Sequence, residues 1–112
     1  RGFFKEDKQK VKFKIADVIN KTLSITSAVY KDNDISLINS CEGNDKFESI
    51  GMPSELSQVF LNILNNAKDA ILENDIEHKF VHIRCEEDDQ YYNIYIQDNA
   101  GGIPPKIIEK VF

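Results

Sequence analysis

The chain has 112 residues, a length for one domain whose core can bury about two-thirds of the surface the extended chain exposes. With 41% hydrophobic and 29% charged residues, and only five glycines and three prolines, it is neither disordered, collagen-like nor low in complexity. A net charge of −5, with the acidic run Glu86-Glu87-Asp88-Asp89, argues against duplex nucleic acid as a partner. No window approaches the roughly 20 apolar residues of a membrane span, so no membrane contact by this chain is expected.

Residues Arg1 to Lys14 mix aromatics and lysines without a period and read as a lead-in remnant, with the domain proper starting at Phe13 (1–12 and 13–112). The Arg1-Gly2 start, with no apolar signal core behind it, suggests a fragment. From Ile15, the residues Val18, Ile19, Thr22, Ile25, Thr26 and Val29 recur at three-and-four spacing, predicting an amphipathic helix that ends near Tyr30. Lys31-Asp32-Asn33-Asp34 is turn chemistry, and Ile35–Asn39 reads as a first strand. After a loop over Cys41–Asp45, Phe47–Ile50 reads as a short strand before Gly51.

Pro53 suits the first position of a helix, where a missing N–H costs nothing. That helix is predicted to run to about Glu73, with Leu56, Val59, Phe60, Ile63, Leu64, Ala67, Ala70 and Ile71 on its apolar face. Phe80–Glu86 and Tyr91–Gln97 alternate around an acidic turn and predict an antiparallel hairpin with one covered face. Asp98–Pro105 is a Gly/Pro loop, and Pro105 or Lys106 is expected to open a last short helix. Cys41 and Cys85 fit no CxxC spacing and read as two reduced thiols; His78 and His82 would share a helical face, but the residues around them read as strand.

Two features stand apart from ordinary packing. The polar side of the long helix carries Glu55, Gln58, Asn62, Asn66, Asp69 and Glu73 in line, and Asn62, Asn65 and Asn66 together are an unusual choice, because asparagine competes with the helical backbone. Directly after a strand comes Asp98-Asn99-Ala100-Gly101-Gly102-Ile103-Pro104, whose glycines permit close approach of a ligand to the backbone.

In this order and spacing the two features resemble the ATP-binding catalytic domain of sensor histidine kinases, within the superfamily shared with gyrase, mismatch-repair ATPases and heat-shock chaperones. Glu55 to Ala70 looks like the family's Asn box, Asp98 to Ile103 like its first glycine box, and Ile107 to Phe112 like the approach to its phenylalanine box. The resemblance implies an α/β (α+β) two-layer sandwich of the Bergerat type, a mixed sheet backed by helices, incomplete at its C-terminus. It also implies ATP and magnesium as cofactors. Asn66 would give its amide oxygen to the ion, Asn62 would line the same site one turn earlier, Asp98 would accept from the adenine amino group, and Gly102 would let the backbone close on the nucleotide, beside Ile103.

Asp69 stands where many members carry a phosphate-reaching lysine, with Lys68 adjacent, and Ala100 replaces the first glycine of the loop. Where hydrolytic relatives hold a glutamate base, this chain has Asn62, and an amide cannot accept the proton; that favours transfer to a histidine over hydrolysis. Neither histidine here has a phosphoacceptor context, so no catalytic residue is assigned on this chain, and the lid and second glycine box would follow Phe112. The implied parent is a cytoplasmic two-component kinase segment, with an anchor in the inner membrane allowed, working with a histidine-bearing dimerisation domain and, indirectly, a response regulator. The isolated chain is expected to be inactive and to self-associate as a homodimer, through an unpaired strand edge at Tyr91–Gln97 or by exchange of its C-terminal segment. The alternatives are a switch-type or anti-sigma-factor kinase or ATPase of the same superfamily, or a degenerate interaction domain.

Overall fold

A computed structural model describes residues 10–41, 46–101 and 104–111. In chain order the elements are β1 (Val11–Lys14), α1 (Ile15–Asp32), β2 (Ser36–Asn39), β3 (Glu48–Gly51), α2 (Pro53–Glu73), β4 (Phe80–Glu87), β5 (Tyr91–Asp98) and β6 (Lys106–Lys110). Strands β2, β4, β5 and β6 form one sheet in that order, with β2 parallel to β4 and the other pairs antiparallel. Strands β1 and β3 form a separate antiparallel pair, so β1 draws Val11 and Lys12 of the lead-in segment into the fold. Ser49 of β3, itself buried, donates to Glu109 Oε2 of β6 at 2.8 Å and ties the two sheets together.

Both helices lie on one face of the four-stranded sheet. On α2 the buried positions Leu56, Phe60, Leu64, Ala67 and Ile71 follow the three-and-four spacing of a single stripe. They meet Val81 and Ile83 of β4, Tyr92, Ile94 and Ile96 of β5, and Ile107 of β6 in one core. Register explains why these residues share a side: Ile83 stands opposite Ile96, and Ile94 opposite both Cys85 and Ile107. The other face of the sheet is open, with Arg84 and Lys106 flanking the Tyr95 ring at 4.3 and 5.6 Å. The mixed-sheet, two-layer sandwich expected from the sequence is the fold observed.

Helix α1 packs beside α2 and runs in the same direction. Thr22 Oγ1 lies 3.1 Å from Ser57 Oγ, and eight residues further along, Tyr30 donates from its hydroxyl to Leu64 O at 2.7 Å. Seven residues on α2 cover nearly the same rise as eight on α1, at about 1.5 Å each. Both helices stop in one way: Asn33 and Asn74 turn their amide N–H₂ back onto Val29 O and Ala70 O, and the aspartate that follows, Asp34 or Asp75, takes positive φ where glycine is usual.

Four expectations are corrected. The C-terminal segment is strand β6, not a helix, because Ile107 and Ile108 favour extended backbone and the edge of β5 offers a ladder for them. The pairing extends through Ile96 N–H to Pro105 O at 3.1 Å and Val111 N–H to Gln90 O at 2.8 Å. The edge at Tyr91–Gln97 is therefore occupied, and the outer strands of the sheet are β2 and β6. Cys41 and Cys85 are bonded to each other rather than free. Ile25, Val29 and Val59 point to solvent, since the buried stripes turn instead through Leu23 and Tyr30 on α1 and Phe60 on α2.

Candidate functional site

Asn62, Asn66 and Asp69 lie on the outer side of α2 and are exposed, because the opposite stripe of the same helix is fixed against the sheet. Asn62 Oδ1 accepts from Gln58 Nε2 at 3.2 Å. The Asn66 amide has no hydrogen-bond partner among the described residues. Lys68 holds its ammonium 3.7 Å from Asp69 Oδ1, so the lysine next to the substituted position is engaged by the residue that replaced its counterpart.

Asp98 closes β5. Strand alternation from Ile94 and Ile96 puts it on the helix-covered side of the sheet, opposite Val81. Its Oδ1 accepts the Ala100 N–H at 2.9 Å, a turn that bends the chain away from the strand, and its second oxygen has no partner among the described residues. Gly101 follows at φ +98°, a conformation that favours glycine, and a Cβ there would meet nothing within 4 Å. Gly102 and Ile103 lie outside the described residues.

One buried group joins the two halves. Tyr30 is 1% exposed, and its phenol is pushed well above its ordinary value of 10, first by burial and then by the negative charges of Asp98 and Asp69. Both carboxylates, one ending β5 and one on α2, therefore act on the same hydroxyl, which is itself bonded to the α2 carbonyl of Leu64.

Two residues outside the expected set belong to this construction. Tyr30 was legible only as the end of a helix. Asn99 accepts the Phe80 N–H at its Oδ1, at 3.1 Å, and donates from Nδ2 to His78 O, clamping the loop after β5 to the start of β4. Its place beside Asp98 was the only signal of that role. His82 lies in β4, with Nε2 2.6 Å from Ser40 Oγ, and so shares no helical face with His78.

Two grooves of the described residues lie away from these side chains. One of about 690 Å³ runs between α1 and the start of α2, past Lys14, Lys21, Ser54 and Ser57. A second of about 530 Å³ lies between Met52, Leu56 and β6. Asn62 and Asn66 are exposed on α2, and Asp98 is partly buried at the end of β5. What they offer is oxygen acceptors, the donor type that magnesium and an amino group both require.

No helix among the described residues is long and apolar enough to cross a membrane. The two-component sensor PprA of Pseudomonas aeruginosa is 33% identical over 66 residues, 55% of this chain and 7% of that protein. Across the curated relatives that match, the chain spans between 7% and 12% of their length. Among solved structures, a nucleotide-free catalytic domain of the histidine kinase ThkA has the same fold, with a TM-score of 0.68 at 15% identity, covering 86% of this chain and 62% of that one. ThkA in complex with the response regulator protein TrrA matches with a TM-score of 0.62 at 15% identity over 80% of this chain and 25% of that one. The family model described as histidine kinase-, DNA gyrase B-, and HSP90-like ATPase matches residues 51–112, more than half of the chain and both halves of the site, and the chain belongs to that family.

Proposed function

We propose that the chain is the nucleotide-binding part of a sensor histidine kinase, which takes Mg-ATP against the outer face of α2 and the loop after β5 for transfer of the γ-phosphate to a histidine elsewhere in the parent protein. The observation that carries this reading is that carboxylates from both halves, Asp69 on α2 and Asp98 at the end of β5, act on one buried tyrosine. Among the described residues the Asn66 amide on α2 has no hydrogen-bond partner, and Asp98 lies on the helix-covered side of the sheet with one oxygen that has none.

Asp98 would accept from the adenine amino group, with Ala100 and Gly101 bending the backbone beneath it and Gly102 and Ile103 continuing that loop. Asn66 would hold magnesium through its amide oxygen, with Asn62 beside it. The ion would supply charge neutralisation on the phosphates, and one protein oxygen suffices for an ion that keeps several waters. Asp69, paired with Lys68, keeps a negative charge where the phosphates would lie, so phosphate contacts fall to other groups. Asn62 has no proton-accepting nitrogen or carboxylate, which suits a site that protects ATP from water and passes phosphate on.

The names of the relatives support a two-component sensor as the parent, and the ThkA complex supports a response regulator as the downstream acceptor; the segment would lie on the cytoplasmic side, with two-fold assembly through a dimerisation domain of the parent. The test is titration calorimetry of the parent protein with a non-hydrolysable ATP analogue. Asn66→Ala should weaken magnesium-dependent ATP binding while leaving magnesium-free adenosine binding unchanged, and Asp98→Ala should weaken both by about 5- to 150-fold, the scale of one buried hydrogen-bonded group. Equal losses of ATP and adenosine in Asn66→Ala, or full nucleotide affinity in Asp98→Ala, would refute the assignment.

A further inference from the structure

Strand β2 faces β4 at a constant offset: Ser36 stands opposite Phe80, Leu37 opposite Val81 and Asn39 opposite Ile83, each partner 44 positions along the chain. Cys41 and Cys85 have the same separation, and their Cα atoms are 5.4 Å apart. The main-chain ladder runs up to the bond, with Ser40 N–H donating to Ile83 O at 2.8 Å. Strand register therefore brings the two sulfurs within reach of each other, inside the Cα range that disulfides use. Opening the bond asks for no movement of the main chain, and the thiol and disulfide forms fit one fold.

The two sulfurs differ in access. Cys41 is 5% exposed, whereas Cys85 is half-buried, so a small thiolate reaches the Cys85 sulfur first.

We propose that Cys41 and Cys85 are a reversible redox site for low-molecular-weight thiols and disulfides of the glutathione class, which sets how firmly the crossover from β2 to β3 is held. The inference does not rest on the nucleotide reading. On opening, a small thiolate attacks Cys85 Sγ, the Cys41–Cys85 bond breaks, and Cys41 leaves as a thiolate that takes a proton from water. A second small thiolate then attacks the outer sulfur of the mixed disulfide, releasing Cys85 as a thiolate and a small-molecule disulfide; two electrons pass to the protein. Closure is the reverse, with a small disulfide as oxidant. In a reducing compartment the open form is the resting state, and the bond forms under oxidative challenge.

The consequence is local. The far end of the crossover is held independently, by the Phe47 ring 5.1 Å from the Tyr92 ring and by Ile15 N–H on Phe47 O at 3.1 Å. The near end, at Ser40 and Cys41, depends on the edge ladder of β2, on the contact of Ser40 Oγ with His82 Nε2 and on the bond.

The chain is equilibrated in buffers of varied reduced-to-oxidised glutathione ratio, its thiols trapped by alkylation and counted by mass spectrometry, and its amide exchange and melting followed. The peptide bearing Cys41 should be linked to that bearing Cys85 in a fraction that varies smoothly with the ratio, with unchanged circular dichroism. Reduction should speed exchange at Ser40 at least tenfold, leave Ile94 and Ile96 protected, and lower the melting temperature by about 16 °C, as loss of a loop closure of this length requires. Cys85→Ser should behave as reduced protein in every buffer. Two alkylatable thiols at every ratio, a bond that opens only in denaturant, or oxidation yielding only linked pairs of chains would overturn the proposal. Should Cys85→Ser fail to fold, the buffer series on the unaltered chain decides alone.

Discussion

Replacing Tyr30 by phenylalanine removes one oxygen from the junction of α1, α2 and β5 while keeping the ring that fills it. The lost hydrogen bond is the 2.7 Å contact to Leu64 O. That carbonyl lies inside α2 and keeps the helical bond from the amide four residues on, so it is not stranded, and the cost falls at the low end for a buried bond, about 1 kcal/mol. For a domain of this size that lowers the melting temperature by roughly 4 °C near neutral pH.

The alkaline limb separates this account from simple packing. Burial, with Asp98 and Asp69 adding to it, raises the phenol of folded Tyr30 above its unfolded value near 10. Its stabilising contribution is therefore complete below pH 10 and is lost as pH rises above it, because only the unfolded chain then releases the proton. One proton difference amounts to about 1.4 kcal/mol per pH unit, so near pH 11 the parent loses about what the hydroxyl contributed. Urea denaturation of both proteins from pH 7 to 11 should show Tyr30→Phe weaker at neutrality and level with or above the parent at about pH 11. Curves that remain parallel across that range would refute a buried, charge-flanked phenol.

Other outcomes follow from the same geometry. Phe60→Ala, at a fully buried position of α2, should cost about 3–5 kcal/mol in chemical denaturation, whereas Val59→Ala beside it, 47% exposed, should change stability little; the reverse order would mean that the helix faces are misassigned. The Asp88 carboxylate accepts the N–H groups of Gln90 and Tyr91 in the β4–β5 turn, and these bonds hold its pKa below the ordinary 3.8. The turn should thus be intact above that value and loosen as pH falls through the lowered one. In NMR titration Asp88 should be protonated at lower pH than a free aspartate, and in Asp88→Asn the amides of Gln90 and Tyr91 should exchange faster.

The parts of this fold that could be read from sequence are those where a period had room to declare itself. The stripe of α2 repeats over more than four turns from Leu56 to Ile71, and the alternation through Ile94 and Ile96 showed a strand with one covered face. Lys106–Lys110 is too short for its two isoleucines to distinguish a turn of helix from a strand, and its pairing partner at β5 lies across a loop. On α1, Ile25 and Val29 obey the helical spacing as well as Leu23 and Tyr30 do; only the position of α2 decides which pair is covered. The disulfide was hidden because it follows from an inter-strand offset, not from any spacing motif. Asn62, Asn66 and Asp98 were legible through residue type and order, but the tie of Asp98 and Asp69 to Tyr30 exists only in three dimensions.

The parallel pairing of β2 with β4 also bears on how the chain reaches this arrangement. The β4–β5 hairpin closes over a short turn, and α2 forms from neighbours, whereas β2 must wait for a partner 44 residues away while β3 and α2 are threaded between them. Ordering so long an intervening loop costs entropy that four residue pairs recover only once the helices have docked on the sheet. On this topology strand β2 is the last to join and, with the Cys41–Cys85 bond open, the first to leave. A nascent chain that has produced α1 and β2 holds an apolar helix face, Ile15 to Tyr30, with nothing yet made to cover it, and stays open to wrong partners until the hairpin emerges.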